Sequence, residues 1–72
     1  MIEVTRLKGK KMIVNAELIE TVEETPDTVI TLTNGKKFVV SESASEVTTL
    51  VINYKRKIFA MFFDYENKAE NV

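Results

Sequence analysis

The chain reads as an α+β domain: a small strand-rich unit of two β-hairpins, about four to five antiparallel strands, followed by a C-terminal amphipathic helix. Three observations lead there. Asn34-Gly35 lies at the centre of the β-prone run TPDTVITLTNGKKFVVSES, residues 25–43, and Asn-Gly between such runs is the strongest short-range hairpin signal. A second glycine, Gly9, separates two further β-prone runs, residues 2–7 and 10–14. After Val40 the spacing of apolar residues changes from two to about 3.6, the helical period.

The first hairpin has IEVTRL, residues 2–7, as its outgoing strand, Lys8-Gly9 as its turn and residues 10–14 as its return. Asn15 is then placed to cap a short helical turn through Glu17, Leu18 and Ile19. The next segment, ETVEE at 20–24, reads either as a short strand or as an irregular connection, and Pro26 biases Thr25 toward extended geometry.

A two-residue loop at Asn34-Gly35 needs positive φ at both positions, which Asn tolerates and Gly accepts freely. That loop opposes Thr33 to Lys36, Leu32 to Lys37, Thr31 to Phe38, Ile30 to Val39 and Val29 to Val40. One face then holds Ile30, Leu32 and Val39, and the other Val29, Phe38 and Val40. Neither face is polar, so covers are expected on both sides, one from the helix and the other from a second subunit.

Ser43-Ala44-Ser45-Glu46 has the form of a capping box, Ser43 accepting from the Glu46 amide and the Glu46 side chain reaching back. Val47, Leu50, Val51, Tyr54, Ile58, Met61 and Phe62 follow on one helical face, with Thr48, Asn53, Lys55 and Arg56 behind. From Ile58 the run IFAMFF loses this polarity, because Phe59, Ala60 and Phe63 add apolar surface on other faces. Burying each large side chain is worth about 1.5–3 kcal/mol, so a cover is expected. Three covers are consistent with the sequence: the domain's own sheet, a neighbouring subunit, or a membrane surface beside Lys55-Arg56-Lys57. Residues 1–63 make the domain, and 64–72 read as a polar, frayed tail.

The two halves echo each other. GKKMIVN from Gly9 matches GKKFVVS from Gly35 at an offset of 26 residues, each following a strand and preceding a helix start. A duplication and a reuse of hairpin turn chemistry both account for it.

Composition narrows the functions. Seventy-two residues form one domain that buries roughly 60% of its unfolded surface, which leaves it marginal alone and favours a homo-oligomer. With no cysteine and no histidine, the chain has no disulfide, no thiolate or imidazole nucleophile or base, and none of the commonest zinc ligands. Glu17, Glu20, Glu23 and Glu24 read as a solvated acidic edge, and Gly9 and Gly35 are isolated turn residues, not a phosphate loop. No enzyme activity, cofactor or metal is expected. The net charge of −1 gives no global pull toward nucleic acid or membrane, and no run approaches the roughly 20 apolar residues of a bilayer span. The start lacks the pattern of a signal peptide, so a cytoplasmic protein is expected.

Eight of the ten basic residues lie in three clusters: Lys8, Lys10 and Lys11 at one hairpin tip, Lys36 and Lys37 at the other, and Lys55, Arg56 and Lys57 on the helix. Side-by-side hairpins would merge the tips into one positive patch for phosphates or an acidic partner. Lysines that keep strand edges soluble are the plainer reading, and no aromatic residue is interleaved for base stacking. The candidate interaction surface comprises Lys10, Lys11, Lys36, Lys37, Lys55, Arg56, Phe59, Phe62 and Phe63.

MIEVTRL-x-GKK, then VNAELIETVEETPDTVITLTNGKKFVV-x-ES, then a terminal helix, resembles the FlbD family of flagellar proteins over roughly residues 1–58. The resemblance implies a non-enzymatic cytoplasmic protein of bacterial flagellar and swarming motility, linked to motor power through the stator proteins. It transfers no catalytic or binding residues. Lys8 departs from the Asn often found before the family's first glycine, and IFAMFF with its acidic tail runs past the family's usual end. Implied partners are motor or stator proteins, at the inner face of the membrane near the motor; a second copy is expected from the domain's size and surplus apolar surface. The alternative is a small RNA-binding regulator in the manner of the carbon-storage regulator CsrA, an analogy of fold alone.

Overall fold

A computed structural model describes the backbone of residues 1–70 and the side-chain surroundings of residues 1–63. Five strands form two antiparallel sheets: β1 (Ile2–Thr5) with β2 (Lys11–Val14), and β3 (Ile19–Glu24), β4 (Thr28–Leu32) and β5 (Lys37–Val40) in the order β3-β4-β5. A 3₁₀ turn, η1 (Ala16–Leu18), links the sheets, and α1 (Ala44–Glu70) ends the described chain. ETVEE is therefore a strand, and the α+β architecture is the one read from the sequence. Helix α1 continues past Phe63 through every described residue of the segment expected to fray, 64–70, and residues 71 and 72 lie outside the described residues.

The hairpin loops have three residues, not two. In the second hairpin the Leu32 amide donates to the Lys36 carbonyl at 2.8 Å and the Gly35 amide to the Leu32 carbonyl at 2.9 Å, leaving Thr33, Asn34 and Gly35 as the loop. The first hairpin repeats this atom for atom: the Arg6 amide donates to Lys10 and the Gly9 amide to Arg6, each at 2.8 Å. Both glycines have φ +87°, and no other described residue has positive φ. This is a type I turn closed by a left-handed residue, which needs only one glycine. Asn34 keeps negative φ while its Oδ1 accepts from the Lys36 amide at 3.0 Å, and Lys8 occupies the equivalent place without strain. The echo at offset 26 thus extends to identical turn geometry.

One extra loop residue slips the register by one and moves side chains between faces. Thr28 opposes Val40, Val29 opposes Val39, Ile30 opposes Phe38 and Thr31 opposes Lys37, so the pairings expected from a two-residue loop are corrected. Thr28, Ile30, Leu32 and Val40 are buried on one face with Phe38 half-buried beside them, while Val39 looks outward. The sheet therefore has one core face and one wet face, and the expectation of covers on both sides came from the wrong register.

The first hairpin uses equivalent positions, burying Ile2, Val4 and Val14 with Met12 half-buried. The two inner faces share one core, closed by Ala16 and by Val47 from α1. An isolated antiparallel bridge, Arg6 to Val40, joins the sheets, and the Ser41 amide donates to the Thr5 carbonyl at 2.8 Å. Arg6 also lies over the Phe38 ring at 5.5 Å from its centre, covering that half-buried aromatic with a cation.

Ser43 caps α1 as expected in one respect: its Oγ accepts from the Glu46 amide at 3.0 Å. The expected reach-back of the Glu46 side chain is corrected: the carboxylate at this end is Glu24 at the end of β3, whose Oε1 accepts from the Ala44 amide at 2.7 Å. A carboxylate there complements the positive end of the helix and ties the edge strand to it.

Candidate interaction surface

Helix α1 divides at Tyr54. Val47 is fully buried and Leu50, Val51 and Tyr54 pack against the core, but every described residue from Lys55 to Phe63 is exposed. The helix, about 40 Å long at 1.5 Å per residue, thus overshoots the domain, and the molecule measures 51 × 23 × 18 Å. Ile58, Phe59, Met61, Phe62 and Phe63 are 46–73% exposed. The chain's own sheet does not cover IFAMFF; that reading is corrected, because Tyr54 already lies at the edge of the core.

The exposed end has internal order. The rings of Phe59 and Phe63, one turn apart, stack with centres 6.4 Å apart. Ile52, 45% exposed, stands two turns before Phe59 and extends the same row. Sequence reading passed over Ile52, although its spacing of seven from Phe59 was the available signal. A shallow groove runs between η1 and the helix, walled by Glu17, Lys55, Ile58, Phe59 and Phe62.

The structure separates the basic clusters. Because Arg6 pairs with Val40, the tip of the first hairpin lies beside the base of the second. Lys36 lies four residues before Val40, about 13 Å of extended chain at 3.3 Å per residue, so the two hairpin tips stand at different levels along β5. Lys11, which opposes Thr5 in the β1–β2 pair, also reaches Glu3 diagonally, Nζ to Oε1 3.7 Å, an exposed pair of little energetic weight. Lys55, Arg56 and Lys57 collar the helix where it leaves the domain, all three exposed.

Glu20, Glu23 and Glu24 are exposed along β3, an edge strand, where charge discourages strand addition. A second cleft is walled by Glu3, Glu42, Ser45, Glu46, Thr49 and Leu50. Burial works against the charge of Glu42, yet the Thr5 amide, donating to Oε1 at 2.8 Å, and the charge of Lys11 outweigh it. Its pKa lies below the ordinary carboxylate value. Glu42 therefore joins the hairpins as a charged acceptor. Among the described residues no group of three or more acidic, histidine or cysteine side chains is placed to hold a metal ion, and no helix is long and apolar enough to cross a membrane.

Neither a search of curated proteins nor a search of solved structures found a match. The family model described as flagellar and swarming motility proteins, FlbD, matches residues 1–59, which span both hairpins, the bridge between them and α1 as far as the first exposed phenylalanine. On that match, covering more than four-fifths of its length, the chain belongs to the FlbD family of flagellar and swarming motility proteins.

Proposed function

We propose that the protein is a non-enzymatic adaptor or regulator that supports the power of the flagellar motor through protein–protein contact with motor or stator components at the inner face of the membrane. The observation that carries this reading is the family match over residues 1–59. The shared part of the chain is the two-hairpin domain with the first half of α1, so the shared role is assigned to that part. Lys10, Lys11, Lys36 and Lys37 are exposed on it at two separate tips, which suits an acidic partner touched at two points.

Deleting the gene and measuring the torque of single motors, with flagellar number and swarming expansion alongside, tests the reading. The expected result is assembled flagella with lowered torque and poor swarming, restored by the wild-type gene. Normal torque in the deletion strain would overturn it.

A further inference from the structure

We infer that the projecting half of α1 is a self-association surface on which two copies pair antiparallel, each helix lying in the groove between the other copy's α1 and η1. The inference is independent of the motor reading. It begins from area. Phe59, Phe62 and Phe63 are 69%, 61% and 53% exposed, which at ~200 Å² per side chain leaves about 370 Å² of aromatic surface in water. With Ile52 and Ile58, 45% and 46% exposed, the patch on this face reaches roughly 500 Å², within the range of the largest patches that monomers expose. Two copies burying it reach about 1,000 Å² in total, the size of a small, weak protein interface.

Shape and charge choose the occupant. Successive helical residues advance by 100°, so Ile52, Ile58, Phe59, Phe62 and Phe63 occupy a face about 140° wide, and the groove beside Glu17 gives this face a concave flank. A second helix fits such a face. In sequence the apolar run is bracketed by Lys55-Arg56-Lys57 before it and by Asp64 and Glu66 after it. Antiparallel pairing centred near Ala60 brings Lys55, which lies within this face, level with position 66 of the other copy, an acidic position on the same face. Parallel pairing sets the two collars side by side, like charge against like. An anionic membrane surface attracts the collar but repels the acidic positions beyond the phenylalanines, so the bracket favours a second copy over lipid.

The absence of cysteine from the chain makes the geometry testable by single substitutions. Sedimentation equilibrium of the full chain between 1 and 200 μM is expected to show a monomer–dimer equilibrium, and Phe59→Ser with Phe63→Ser to raise its dissociation constant at least 100-fold. Both side chains lie outside the core, so the variant is expected to keep the monomer's circular dichroism spectrum. A Lys55→Cys chain mixed with a Glu66→Cys chain, both positions lying on the paired face and level in an antiparallel pair, is expected to form a disulfide. Ile52→Cys alone is expected not to, because antiparallel helices hold those positions about 24 Å apart, beyond the reach of a disulfide. A monomer at 200 μM, a dimer indifferent to the double serine variant, efficient Ile52→Cys self-cross-linking, or a monomer that binds vesicles of phosphatidylserine and phosphatidylcholine through the two phenylalanines would each overturn the inference.

Discussion

Replacing Ile30 and Val39 separately by alanine tests the hairpin register, because the two-residue and three-residue loops assign these residues different surroundings. In the three-residue register Ile30 is fully buried and opposes Phe38, whereas Val39 is 41% exposed on the outer face. Ile30→Ala removes three carbons at about 0.8 kcal/mol each and leaves a cavity, giving a loss of about 3–4 kcal/mol. Val39→Ala removes two carbons from a site already half in water, so its loss is about 1 kcal/mol or less. A domain of this length has about 4–11 kcal/mol of stability in all, so the first variant is near the limit of folding and the second close to wild type. Urea titration at one fixed protein concentration resolves the difference; with a slope of about 1 kcal/mol/M, the midpoints separate by about 2–3 M. Equal losses would mean that Ile30 and Val39 share a face and would refute the three-residue loop.

Other predictions rest on single contacts. Gly35→Ala meets no neighbouring atom but must hold φ at +87°, so it costs about 1–2 kcal/mol, while Asn34→Ala costs less because Asn34 is not left-handed; thermal melts compare them. Glu24→Gln weakens the cap on Ala44 and lowers stability by about 1 kcal/mol, which urea titration reads. Glu42 has a folded pKa below its unfolded value, so its contribution is present above the ordinary value of 4.5 and is lost as pH falls through the lower, folded value. Wild type should therefore lose more stability than Glu42→Gln across that acid window, as acid melts of the two will show.

Elements were legible in the sequence wherever a local rule governs them. Gly9 and Gly35 marked both turns, Asn15 and Ser43 marked the helix starts, and the period change after Val40 marked α1. The register was not legible, because Asn-Gly satisfies two loop lengths and the choice depends on which face meets the core. Lys8 held the clue: a lysine between Leu7 and Gly9 suits a loop with one left-handed residue, and the equivalent loop at Asn34 has the same hydrogen bonds. Glu24 and Glu42 were read as surface charge or passed over because their acceptor roles join segments 20 and 37 residues apart. Of the interaction surface, the apolar helix end was visible as a loss of periodicity, while the separation of the lysine tips followed only from the Arg6–Val40 bridge.

Motor torque restored by a charge-reversed domain tests the central claim, that the family-matched part of the chain acts by contact through its exposed basic tips. In a strain lacking the gene, Lys10→Glu, Lys11→Glu, Lys36→Glu and Lys37→Glu are combined in the reintroduced chain, with cellular level and melting temperature checked against wild type. All four side chains are exposed, so the fold is expected to survive. The account predicts torque well below that restored by wild type at equal protein level; full torque from the charge-reversed chain would contradict it.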